Sequence, residues 1–131
     1  MDESEQVAAV RRFVDFFNRR DFDGLIVDTG PAAVLHEWPA APGARSYRGP
    51  EGLRRALDNW FESWEWMQIE IEDLEEVGDR VMATLHQRAQ GKGSEVEVEV
   101  HSFNVWTFKD GSVAEIRLFT EREPALEAFR P

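Results

Sequence analysis

A chain of 131 residues, 42% hydrophobic and 31% charged, suits one globular domain spanning 1–131 and is too short for two. Its net charge of −11 sets it against phosphate backbones and anionic lipid surfaces, which excludes nucleic acid and membrane as main partners. With no cysteine it has no disulfide, no thiolate metal site and no thiol nucleophile, and a cytoplasmic location is the default expectation.

Ser4, followed by Glu5 and Gln6, predicts a helix start, and Val7, Val10, Phe13, Val14 and Phe17 then recur at helical spacing. Asn18 to Asp21 interrupt the pattern. A shorter helix is expected over Phe22–Val27, stopped by Asp28-Thr29-Gly30-Pro31. These charged, helical first thirty residues are unlike a secretion signal, and no apolar run is long enough to span a bilayer. Ala33 to Trp38 reads as a short strand, followed from Pro39 by a loop reaching Arg48. Gly49-Pro50 opens a third helix with Leu53, Leu57, Trp60, Phe61 and Trp64 on one stripe.

From Met67 onward the period drops to two. Met67, Ile69 and Ile71 alternate with Gln68, Glu70 and Glu72. After a turn at Gly78-Asp79, Val81, Ala83 and Leu85 alternate with Met82, Thr84 and His86. A second turn at Gly91–Ser94 leads into a strand from Glu95 to Phe108. The turn Lys109-Asp110-Gly111 precedes a last strand from Val113 to about Thr120, and a short helix closes the chain around Pro124–Phe129. Three helices followed by a four-strand meander predict an α+β fold, with helices packed on the concave face of a curved antiparallel sheet.

The alternation also assigns faces. Val96, Val98, Val100, Ser102, Asn104, Trp106 and Phe108 are expected to point inward, because the opposite face carries Glu95, Glu97 and Glu99, which are costly to bury unpaired. Val81, Ala83, Leu85 and Gln87 share that inner face, as do Ile116, Leu118 and Thr120. Phe103, Val105 and Phe119 are then outward. That is too much apolar surface for bare solvent, and it predicts a homodimer through the outer sheet face.

Several motifs carry a resemblance. The segment Arg12-Phe13-Val14, then Asn18, then Asp21-Phe22-Asp23-Gly24-Leu25, resembles the first helix and turn of the SnoaL-like polyketide cyclase and ketosteroid isomerase branch of the nuclear transport factor 2-like superfamily. Tyr47 to Leu53, Asn104 to Gly111, and Arg122-Glu123 with Ala125-Leu126 resemble later parts of the same pattern. The resemblance implies a nuclear transport factor 2-like, cystatin-like fold: a strongly curved sheet forming a cone-shaped barrel around the N-terminal helices, with a pocket inside. It also implies that a homodimer is common. Members include isomerases, dehydratases, cyclases, epoxide hydrolases and binding modules, so fold locates the site without naming its chemistry.

In the isomerase branch a first-helix tyrosine and a late-strand acid hold an enolate while a first-strand aspartate moves the proton. An ungapped match through Asn18, Asp21 and Pro39 puts Phe13, Trp38 and Asn104 at those positions, which argues against ketosteroid isomerase chemistry. His36, two residues before Trp38, is then the candidate base, with Asn104 as an orienting donor; the plainer account of His36 is a histidine at the pocket rim hydrogen-bonded to a neighbour. Glu37 would take that role if the strand were displaced by one residue. The expected walls are Phe13 and Phe17 from the first helix, Trp38, and Leu57, Trp60 and Trp64 from the third. The sheet is expected to add Leu85 and Gln87, Ser102 and Trp106, and Leu118 and Thr120.

His86 and His101 fall on the outer face near Arg88 and Glu99. A salt-bridged dimer surface is the better account of them, so no metal and no cofactor is expected. The expected function is the binding of a small hydrophobic molecule in a Trp-lined pocket, with cofactor-free proton transfer, cyclisation or hydration as the chemistry. The competing reading is a non-catalytic dimeric module whose pocket is filled by its own side chains.

Overall fold

A computed structural model describes residues 3–37 and 45–130. Helix α1 spans Glu5–Asn18 and begins where Ser4 Oγ accepts the Val7 amide at 3.1 Å, a hydroxyl capping one of the free N–H groups of the first turn. Helix α2 (Phe22–Thr29) is capped in the same way by Asp21, which accepts from Gly24 N at 3.0 Å. Strand β1 (Val34–His36) and strand β2 (Ser46–Arg48) precede helix α3 (Gly49–Ser63). The long strands β3 (Trp64–Val77), β4 (Arg80–Gly91), β5 (Glu97–Lys109) and β6 (Ser112–Phe119) follow, and helix α4 (Arg122–Phe129) comes last.

The strands form one sheet in the order β2-β1-β6-β5-β4-β3. The meander is antiparallel, but β1 adds to β6 in parallel, with Leu35 opposite Ile116. Strand β2 was expected to be loop. It forms because Leu35 pairs with Tyr47, which is buried at 6% exposure and brings the chain directly into α3. Register shifts in β3 at Trp64/Trp66 and Ile71/Asp73, and between β5 and β6 at Thr107/Phe108, add the bulges that strengthen twist and curl the sheet without closing it. Across the second of these the inward set in β3 moves from Met67, Ile69 and Ile71 to Leu74.

The core lies between the concave sheet face and α1, α2 and α3. Val10, Phe13, Val14 and Phe17 of α1 meet Leu53, Ala56 and Leu57 of α3 and Val81, Ala83 and Leu85 of β4. Asn18 ties the end of α1 to β3 by accepting from Ile69 N and donating to Ile69 O, each at 2.8 Å.

Two expectations are corrected. The register puts Val98 opposite Ala89 and Val100 opposite Gln87, so the alternation is as expected, but Val96, Val98 and Val100 are 66%, 40% and 49% exposed. The reason is length: the 13 residues of β5 span about 43 Å at strand rise, whereas the 14 residues of α1 span about 21 Å. The helical layer ends before the valines begin.

The second correction concerns the outer face. Phe103, Val105 and Phe119 do point outward, but α4 covers them. Ala125, Leu126 and Phe129 build a second cluster with Met82, Val105 and Phe119. Arg80 holds α4 in place by donating to the carbonyls of Ala128 and Arg130, each at 3.0 Å. The apolar side chains that suggested a dimer face are used within the chain.

Candidate functional site

Between α1, α3 and the sheet lies a cavity of about 340 Å³. Phe13 and Phe17 reach it from α1, and Trp60 stands near the end of α3. Trp64, the first residue of β3, takes its place because α3 stops there and the backbone turns extended. Gln87, Ser102 and Leu118 line it from the sheet and Thr120 from just beyond β6, with Asn104 beside Ser102. Asn104 and Ser102 are each 8% exposed, and Ser102 Oγ has no hydrogen-bond partner among the described residues.

Not every expected wall residue reaches the cavity. Leu57 and Leu85 are buried in the core at 0% and 1% exposure. Trp106, 1% exposed, is enclosed by Phe13, whose ring packs edge-on at 4.7 Å, and by Phe108. Trp38 lies outside the described residues. Leu35, Met67, Ile69, Ile116 and Phe119 also line the cavity, unexpectedly as site residues; for Met67, Ile69 and Ile116 the inward parity of their strands was the available signal, and Leu35 and Phe119 had none.

The largest change is at β1. Because Leu35 pairs with Ile116 on the inner face, His36 is turned outward and Glu37 inward. His36 Nδ1 and Ser46 Oγ are 2.6 Å apart, and His36 Nε2 lies 3.4 Å from Glu115 Oε2. A second, polar recess of about 420 Å³ holds these three side chains together with Arg45 and Arg117, and it shares Glu37 and Leu118 with the apolar cavity. The expected base thus faces away from the cavity, and the residue given the outward face faces in.

Glu37 is the one charged side chain among the described residues that line the cavity. Its Oε2 accepts the Trp60 indole N–H at 3.1 Å and its Oε1 accepts the Arg45 backbone N–H at 3.1 Å. These two donors come from different elements and fix the carboxylate's orientation. Each oxygen keeps a further lone pair for a ligand. Chemically, the site offers one oriented proton or hydrogen-bond acceptor among apolar walls, with Asn104 and Ser102 as polar groups elsewhere in the cavity. The ungapped match puts Trp38 at the position of the isomerase aspartate; in this chain a carboxylate, that of Glu37, faces the cavity from one position earlier.

His86 and His101 oppose one another on the outer face of β4 and β5, their rings stacked at 5.0 Å. His101 Nδ1 is 2.9 Å from Glu72 Oε1, and His86 Nε2 is 3.5 Å from Glu99 Oε2, so each histidine lies beside a glutamate on this surface. Among the described residues no group of three or more His, Asp or Glu side chains is arranged to hold a metal ion. No described helix is long and apolar enough to cross a membrane.

Known structures share this architecture. A nuclear transport factor 2-like protein of unknown function from Burkholderia pseudomallei superposes with a TM-score of 0.81 at 15% identity, covering 98% of this chain and 100% of that one. A protein of Jannaschia sp. CCS1 assigned to the SnoaL-like polyketide cyclases gives 0.73 at 21% identity, over 100% and 99% of the two chains. A protein of ketosteroid isomerase-like fold from Catenulispora acidiphila, solved in complex with trimethylamine, gives 0.76 at 11% identity, over 92% and 91%. No curated protein matches the sequence. The sequence model of the SnoaL-like domain matches residues 10–116, and the chain belongs to the SnoaL-like domain family, with a nuclear transport factor 2-like α+β fold.

Proposed function

We propose that this protein binds a small, largely apolar organic molecule in the cavity between α1, α3 and the concave sheet, and that Glu37 accepts a hydrogen bond or a proton from it. The observation that carries the reading is a single oriented carboxylate on the wall of a mainly apolar cavity of about 340 Å³. That volume lies at the lower end of the range for small-molecule sites, which favours a compact ligand. A relative of the same fold holds trimethylamine, which supports a small organic molecule as the occupant.

The chemistry such a site supports is cofactor-free proton transfer. Glu37 takes a proton from a carbon next to a carbonyl or from an attacking water, while the Asn104 amide and Ser102 hydroxyl donate toward the oxygen on which charge develops. Cyclisation and hydration both begin with such a step. His36, turned outward, has no part in it. The alternative of a cavity filled by its own tryptophans is disfavoured, because Trp60 and Trp64 border the space without occupying it. The reading also omits the outer-face dimer, whose apolar side chains α4 covers, and it places the protein in the cytoplasm.

Titration of intrinsic tryptophan fluorescence with a panel of compact apolar compounds tests the binding. Saturable quenching by at least one compound, lost on filling the cavity with Ser102→Phe, is the expected result. A flat response across the panel overturns the proposal.

A further inference from the structure

We infer that the ligand is an apolar amine, bound as its ammonium ion with an N–H donated to Glu37; the inference rests on the binding reading above and names the class of molecule. Three observations converge on it. First, among the described residues Glu37 meets two N–H donors, from Trp60 and from the Arg45 backbone, and no basic side chain pairs with it. Glu37 is half-buried and borders the polar recess of Arg45 and Arg117 on its other side, but on the cavity side its carboxylate meets no counter-charge among the described residues, and a bound cation supplies one. Its remaining lone pairs call for a donor, so an ammonium bearing at least one N–H fits better than a quaternary one.

Second, the walls nearest in kind to this task are aromatic. Phe13, Phe17, Trp60 and Trp64 line the same cavity, and ring faces attract a desolvated cation while gaining nothing from an anion. The net charge of −11 acts in the same direction at longer range, raising the local concentration of cations and repelling carboxylates. A carboxylic acid ligand would have to place its anion in a space whose one charged wall group among the described residues is already negative.

Third, Ser102 Oγ is a polar atom with no partner among the described residues, on a residue 8% exposed that lines the cavity. It offers a second, independent anchor for a hydroxyl or carbonyl on the same ligand. An apolar ring or short chain with an amine on it and an oxygen elsewhere would satisfy both.

One skeleton with three head groups separates charge from size. Calorimetric titration of the full chain near neutral pH with 2-phenylethylamine, 2-phenylethanol and phenylacetate is the experiment, repeated on Glu37→Gln, which keeps the side-chain length and an acceptor for Trp60. The amine is expected to bind at least roughly tenfold more tightly than the alcohol, and phenylacetate more weakly than either. In Glu37→Gln the amine preference should fall below roughly twofold while alcohol affinity holds. Alcohol binding equal to amine binding, tighter binding of phenylacetate, or a preference that survives Glu37→Gln overturns the amine assignment and leaves the binding reading standing. Failure of all three compounds to bind at millimolar concentration overturns both.

Discussion

Trp60 and Glu37 are joined by an indole N–H donated to Oε2 at 3.1 Å, a bond from α3 to the residue just after β1. It does two things at once. It gives a buried-edge indole the partner that such groups need, and it aims a carboxylate into the cavity. The carboxylate's placement therefore depends on a helix residue 23 positions further along the chain.

Trp60→Phe keeps the aromatic wall and deletes the N–H. One hydrogen bond is lost, so 2-phenylethylamine affinity should weaken by roughly threefold to tenfold, with the circular dichroism spectrum unchanged. Calorimetric titration measures it, and undiminished affinity would mean that Trp60 does not position Glu37.

His36→Ala should leave ligand affinity within about twofold of the original, because the ring points away from the cavity toward Ser46 and Glu115. The same titration decides this. Loss of binding comparable to that of Glu37→Gln would show the inner and outer assignments on β1 to be reversed.

Asn18 holds β3 by a pair of hydrogen bonds to one residue, Ile69. Asn18→Ala leaves both the N–H and the C=O of Ile69 without this partner, at an expected cost of about 1–3 kcal/mol. Urea unfolding reads the change. A loss below about 0.5 kcal/mol would mean water replaces the side chain without penalty.

Val81 and Val100 lie on the same sheet face but differ in cover, at 0% and 49% exposure. Val81→Thr places a hydroxyl in the core and should cost about 1–3 kcal/mol, whereas Val100→Thr should stay within about 0.5 kcal/mol. Paired urea denaturation curves compare them. An equal cost at both sites would show that something covers the valine row in solution.

Much of the fold was legible because its signals are local and repeated. The period of α1 from Val7 to Phe17 and the alternation from Met67 to Leu85 each run over many residues, so one misleading position does not alter the reading. The parity of β4 and β5 placed Gln87, Ser102 and Asn104 on the cavity side for the same reason. Where the signal is short, it was ambiguous. In Val34-Leu35-His36-Glu37 each parity holds one apolar and one polar residue, and three strand residues offer no majority.

Amino-acid order alone determined the element types, the α+β class, the family resemblance and the inward parity of the long strands, since these follow from side-chain period and turn chemistry within a few neighbouring residues. Tertiary structure decided three further matters. The parallel pairing of Leu35 with Ile116 turned Glu37 in and His36 out. The shorter reach of the helices left Val98 and Val100 uncovered, and the return of α4 closed the outer apolar face. Each depends on which distant segment lies alongside, and burial is a property of that neighbour as much as of the residue itself.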